Sequence, residues 1–572
     1  MVQSIVVQGL WGRLCAAAPA AVAVAALAAA PAMAAERAHP TGRWLVAFER
    51  AGVVRTAAAL DARLRPLGVR RAGRVVPALG LATVDGPAAA IGALRRAPGV
   101  ESVSREWSRP LRRIPSDPAL TSPETAFGGI PGGAPIQWAL RREGFYGAWD
   151  VTTGDAARVA IVDTGITGSH FELGSKIASA DSLGAGDART DPDGHGTHVA
   201  GLACASTNNG RGIAGAGWGC RLNVLKVPLS SLGTFDDGDV AAAIVRAADR
   251  RAHAINLSFG GGPPSEPLER AIGYAYSRGV VLVAAASNCE YRDQGAPASQ
   301  LQPDNAPDIR AGRGLVVTAA DYSGRRATTG ELDPGCGPRV GLGPQVSLAA
   351  FGFFDDDSGP PGLISTYPPA TPNESVTCML ELCPRRSLGG DTRYAYLQGT
   401  SMATPQVAAL AALVAELNPY LSVRDKLVVI KRSARGSAWG PELGWGIIDA
   451  GAAVDAARRM DRVRPRSRAG SRHVLRIRRR RRTRLIRVSW SAWDPAGAAR
   501  LIPSGVRSYD LYMKRDGGRY RRVRRGSRRR FALLRLRRGH YRFYTRAVDK
   551  AGNREAAPRS ADTRLLLRRP PR

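Results

Sequence analysis

The run Arg158-Val-Ala-Ile-Val-Asp163-Thr-Gly165 carries the plainest structural signal in the sequence. Its apolar residues run without alternation, and a strand that is apolar on both faces must be covered on both faces. That is the signature of a parallel sheet between two layers of helices. A carboxylate, Asp163, stands where the strand ends. Outward from it the same kind of run recurs at Leu222–Val227, Ala254–Leu257, Val280–Ala285 and Gly314–Thr318, with helical stretches Asp239–Arg250 and Pro267–Arg278 between them. The alternation predicts an α/β fold, a mostly parallel sheet with helices on both faces, over residues 137–457. Residues 290–313 and 325–345, rich in Gly, Pro and polar side chains, are expected to be surface insertions. Ligand sites in open parallel sheets form beyond the carboxyl ends of the strands, where Asp163 falls.

Two further segments carry chemistry. Asp193-Gly-His195-Gly-Thr-His-Val-Ala-Gly201 places a His at the start of a helix among glycines that let backbone approach closely. Gly399-Thr-Ser401-Met-Ala-Thr-Pro405 places a Ser near the start of the apolar helix Val407–Leu417, with Pro405 in what reads as the first turn. An Asp, a His and a Ser suit nucleophilic acyl transfer. The Ser hydroxyl is a weak nucleophile until a base takes its proton. Imidazole is that base, and the carboxylate fixes its tautomer. The developing oxyanion needs fixed donors. Candidates are the backbone N–H of Ser401 and the side-chain amide of Asn288, just after the strand Val280–Ala285.

These three motifs, in the order Asp, His, Ser, resemble the subtilisin-like serine proteases. The resemblance covers residues 137–457 and implies Asp163 as orienting acid, His195 as general base, Ser401 as nucleophile and Asn288 as oxyanion donor. It implies that Ser258, Phe259 and Gly260 form a substrate-binding strand for polypeptides. One departure concerns Ala285-Ala-Ser-Asn288, where the family usually has Gly before the Asn; this touches substrate preference more than catalysis. The family needs no cofactor for catalysis but often holds a structural calcium. Gln137, Glu172 and Asn209 fall where some members place its ligands, with Glu172 where Asp is usual; ordinary surface turns are the other reading.

The flanks read separately. Residues 1–34, with Arg13, the apolar Ala16–Ala30 and Ala32-Met-Ala34, predict a signal peptide and secretion. No comparable apolar run follows, which excludes a polytopic membrane protein and predicts no transmembrane anchor. Residues 41–107 follow a β-α-β-(β)-α-β order that is ferredoxin-like, and resemble the family's propeptide, an inhibitor and partner of its own enzyme. Residues 108–136 are expected to be an exposed processing linker. Six cysteines follow the leader's Cys15; in an exported chain they suggest disulfides. Short closures favour Cys204–Cys220 and Cys378–Cys383, leaving Cys289–Cys336.

Of 572 residues, 44% are hydrophobic and 23% charged, ordinary values that exclude wholesale disorder. The net charge of +34 is not spread evenly: residues 462–572 hold 37 Lys and Arg against 6 Asp and Glu. Residues 458–482 read as a basic linker, and 483–570 as a small β-sandwich resembling a fibronectin type III domain. Such a surface attracts polyanions; for an exported chain an anionic cell-wall polymer, an acidic lipid surface or extracellular DNA is expected, the first of which implies a cell-wall association. The alternatives are a merely solvated cationic surface, or an inactive protein that only binds polyanions or the cell wall.

Overall fold

The computed structural model describes residues 39–49, 57–108, 114–124, 133–230, 233–328, 336–354, 362–369, 388, 391–470, 474–476, 482–497 and 501–569. The leader 1–34, with Cys15, and the pair Cys378 and Cys383 lie outside them. The chain divides into two compact units, Met1–Pro110 and Leu111–Arg572.

In the first unit a four-stranded antiparallel sheet runs in the spatial order Arg70–Val76, Leu81–Asp85, His39–Phe48, Val100–Ser108. Helices Ala57–Leu64 and Ala88–Arg95 lie between strands in sequence. Pro66 and the left-handed Gly68 (φ 69°) tighten the end of the first into a 3-10 turn.

The second unit is built on seven parallel strands in the order Leu348–Phe351, Gly314–Ala320, Val281–Ala285, Ala254–Leu257, Arg158–Asp163, Arg221–Lys226, Ile177–Ser182. Both faces are covered, as the unbroken apolar runs require. Val159 and Ile161 join the core that holds helices His195–Cys204 and Thr400–Leu417. Ala160 and Val162 join the opposite core, under helices Asp237–Asp249 and Glu266–Ser277. Each large side chain so buried contributes roughly 1.5–3 kcal/mol. Among the described residues only Thr400–Leu417 is long and apolar enough to cross a membrane, and it is the buried central helix.

Four expectations need correction. Residues 290–313 and 325–345 are not wholly at the surface: Gln294, Ala298, Leu301, Gln302, Arg326 and Ala327 are buried. Their polar groups are satisfied internally, as when Gln302 accepts from Lys431 Nζ at 3.0 Å. The linker 108–136 is not exposed throughout. Asp117, Ala119, Leu120 and Glu124 are buried, and Ala119 N donates to Gly212 O at 3.1 Å. Its Asp117 carboxylate accepts from Asn208 N and Asn209 N at 2.7 and 3.1 Å. The basic linker 458–482 contributes strands Arg466–Gly470 and Val474–Arg476. Pro405 is the sixth residue of its helix rather than part of the first turn.

The tail strands form a three-stranded sheet (Arg466–Gly470, Arg484–Trp493, Phe531–Leu536) and a five-stranded one (Val474–Arg476, Thr563–Arg568, Gly539–Asp549, Val506–Arg515, Arg521–Ser527). Ile486, Val488 and Trp490 of one sheet and Leu511, Phe543 and Leu565 of the other share one apolar core.

Candidate active site

Asp163 ends its strand fully buried. Its Oδ1 accepts from Thr164 N at 2.8 Å and lies 2.8 Å from His195 Nδ1. His195 is the first residue of its helix, after Gly194 at φ 100°. Only glycine suits that turn, because a Cβ there would sit 2.6 Å from the Tyr367 ring. Gly196 meets the first motif just as closely: its Cβ would lie 2.2 Å from Gly165 O. Gly196 is therefore a glycine because the backbones of the two motifs touch there. Asp191, which the sequence reading passed over, ties them together. Its Oδ1 accepts from Thr164 Oγ1 at 2.8 Å and Gly194 N at 3.0 Å, and its Oδ2 from Thr197 N and Oγ1 at 2.8 and 2.6 Å.

Burial by itself pushes the His195 imidazole down. The charge and hydrogen bond of Asp163, with Asp193 and Asp191 behind it, outweigh burial and push it up to about 9. His198, one turn later, has no such carboxylate and is pushed by burial to about 3.

Ser401 is the second residue of helix Thr400–Leu417, so its N–H has no partner within the helix. Its hydroxyl donates to Ser258 O at 2.9 Å, and Ser258 Oγ donates back to Ser401 O at 2.9 Å. Pro405 explains the return bond. A residue four positions after Ser401 would normally donate to its carbonyl, and proline has no N–H to do so. Asn256 Nδ2 in turn holds Ser258 Oγ at 2.9 Å. Asn288 Oδ1 accepts from Thr400 N at 2.9 Å, which fixes the amide and leaves Nδ2 as the free donor.

Asn288, Ser401, Phe259 and Gly260 line a pocket of about 520 Å³, with Gly261, Gly262, Ala285, Ala286, Ser287, Tyr291, Asp293, Gln294, Gly295 and Thr400. Ser287, the departure from the family, keeps its hydroxyl on Cys289 N at 2.9 Å. Cys289 is bonded to Cys336, and Cys204 to Cys220, as the spacing suggested. Gln294, also missed, accepts from Ser287 N at 2.8 Å and donates to Tyr291 O and Leu342 O at 2.6 and 3.0 Å, bracing the wall.

The calcium residues gather but do not fit an ion. Both ends of the Gln137 amide are spent on Ala214, at 2.8 and 2.7 Å. Glu172 Oε1 accepts from Tyr394 OH at 3.0 Å and Ile213 N at 3.3 Å, and Oε2 from Asn209 Nδ2 at 2.8 Å. Asn209 Oδ1 faces Arg211 N at 2.8 Å, so turning the amide would set one N–H against another. The oxygens a hard cation needs are engaged by hydrogen-bond donors.

The family model described as the subtilase family matches residues 154–446. Thermitase of Thermoactinomyces vulgaris is 33% identical over 270 residues, covering 47% of this chain and 78% of thermitase. Subtilisin Savinase of Lederbergia lenta is 32% identical over 303 residues, covering 53% of this chain and 92% of Savinase. An extracellular protease of Xanthomonas campestris is 30% identical over 405 residues, covering 63% of this chain and 60% of that protein. The stretch matched by the family model takes in Asp163, His195, Ser258, Asn288 and Ser401, and the chain belongs to the subtilase family of serine endopeptidases.

Proposed function

We propose that the chain is a secreted endopeptidase that cuts polypeptides through an acyl-enzyme on Ser401 and matures by cutting itself. A substrate lies along Ser258–Gly260 as an added strand. The Ser401 hydroxyl leaves Ser258 O, turns to His195 Nε2 and gives up its proton as Oγ bonds the carbonyl carbon. Asp163 accepts from Nδ1–H and stabilises the imidazolium. Ser401 N–H and Asn288 Nδ2 take the oxyanion. The C–N bond breaks as His195 protonates the leaving amine. Water, deprotonated by His195, then attacks the ester and releases the acid, restoring Ser401. The observation that carries this reading is the 2.8 Å contact of Asp163 with His195, across 32 positions of sequence, beside a pocket that Ser401 and Asn288 both line.

The first unit, with the sheet order expected of a ferredoxin-like fold, serves as the propeptide, and the cut falls in 108–136. The two tail sheets form the fibronectin type III-like sandwich. Ser401→Ala, expressed in a protease-free host, is expected to stay unprocessed and to hydrolyse no peptide; a variant that still matures on its own contradicts self-processing. An inactive polyanion-binding protein is the weaker reading, because the four residues the chemistry needs are all present.

A further inference from the structure

We propose that the pocket beside Ser401 selects a basic side chain, Lys or Arg, on the acyl side of the cut bond, and that Asp293 is the residue that selects it. This rests on the protease reading above and names the substrate class it leaves open. Asp293 is the pocket's one acidic or basic side chain. Its Oδ1 accepts from Gly295 N at 3.1 Å and from Gln345 Nε2 at 3.2 Å. Among the described residues Asp293 makes no ion pair. Gln345 Nε2 also reaches Asp304 Oδ1 at 3.1 Å, so a second carboxylate, not a cation, stands behind it. Arg292, its neighbour in sequence, is not among the pocket's lining residues.

The rest of the pocket suits a long cationic chain. Ala285 and Ala286 offer apolar surface to a methylene stem, and a charged head snorkels to the carboxylate. Tyr291 adds a ring for a cation–π contact. One wall is pinned backbone to backbone: Gly261 N donates to Ala296 O and Ala296 N to Gly262 O, both at 3.1 Å. A Cβ at Gly295 would come within 2.7 Å of Gly261 Cα, so Gly295 has no room for a side chain. Asp293 therefore sits on a fixed frame.

The chain's own sequence agrees. Residues 114–124 belong to the second unit, where Ser116 N donates to Asn208 Oδ1 at 3.1 Å. A cut that frees the first unit and keeps this segment joined to the second falls just before it, where the sequence is Arg109-Pro-Leu-Arg-Arg113.

The test uses the purified, matured protein and peptide amides that differ only in the residue before the cut: Arg, Lys, Leu, Phe or Glu. The expected kcat/KM for Arg and Lys exceeds that for Leu and Phe by about tenfold to hundredfold, the worth of a charge-assisted contact. Asp293→Asn collapses the Arg-to-Leu ratio by a similar factor, Asp293→Glu restores it, and Asp293→Lys turns the preference toward Glu. A merely structural Asp293 would move all substrates together, and that result overturns the proposal. So does a wild-type preference for Leu or Phe, or a mature N-terminus that follows an apolar residue. Turnover of none of the peptides overturns the protease reading itself, and this proposal with it.

Discussion

Burial alone would take His195 below the ordinary imidazole range, and three carboxylates carry it to about 9. In the proposed mechanism the neutral ring accepts the Ser401 proton, so kcat/KM should rise with pH and level off above about 9. Asp163→Asn removes the first of those charges. The midpoint should fall by more than one pH unit's worth of interaction, and the plateau by about 10⁴-fold, because the ring loses its tautomer. An unmoved midpoint in a pH–rate series would show that Asp163 does not set the base. The same shift has a stability consequence. A raised histidine stabilises the fold fully below its unfolded value of 6.5 and loses that contribution as pH climbs through about 9. Activity and stability thus run against each other over that window. Asp163, His195 and Ser401 were legible as candidates because each stands in a contiguous motif with a glycine beside it, and Asn288 because it follows an unbroken apolar strand. Asp191 and Gln294, both buried, were not. A carboxylate or amide in a polar stretch reads as surface until its partners, up to 48 positions away for Gln294, fold around it.

Strands with unbroken apolar runs were legible to within a residue or two, because burial on both faces leaves no other composition. Arg466–Gly470 was not legible: only Ala469 of its five residues is buried, and its Arg side chains face out. The loop element around Glu172 makes a sharper case. Burial, only partly offset by the hydrogen bonds from Tyr394, Asn209 and Ile213, pushes this carboxyl up to about 7. A raised acid favours the fold below its unfolded value of 4.5 and loses that contribution as pH rises through about 7. Tyr394→Phe deletes one donor to it without changing the packing of the buried ring. The expected loss is about 1.5–3 kcal/mol at pH 8, where the carboxylate is charged, and less at pH 5. Equal urea midpoints for variant and parent at both pH values would show the bond to be idle.

At the scale of the whole molecule, the tail is fastened to the catalytic layer rather than strung from it. Leu501 belongs to the same apolar core as the central helix. Ile502 N donates to Arg458 O at 2.9 Å, Ser504 N to Asp461 Oδ2 at 2.8 Å and Asn553 Nδ2 to Asp461 O at 3.1 Å. Removing residues 462–572 should lower Tm by about 5 °C, the burial of one large side chain and a few hydrogen bonds. It should leave peptide hydrolysis within about twofold, because none of those residues lines the pocket. An unchanged Tm would mean that the tail is an independent bead. The same truncation checks the charge. Strand Arg521–Ser527, with Arg521, Arg522, Arg524 and Arg525, is the outer strand of its sheet. Cationic side chains on an open edge disfavour pairing with another chain, and the proposed polyanion binding would show as adsorption that falls with added salt. Adsorption to anionic wall polymer that is equal with and without the tail leaves edge protection as its only role. That the tail is made of β-strands was legible from its apolar rhythm, whereas this fastening, made by Leu501 in a connecting stretch, was not.

The central claim is that Ser401 is a nucleophile armed by His195. Its most direct test is a fluorophosphonate reaction on the matured protein, with the adduct located by peptide mass spectrometry. One adduct is expected, on Ser401 Oγ, at a rate that rises with pH toward about 9 and is lost in His195→Ala. An adduct on another residue, or none on wild type after the first unit is removed, would contradict it.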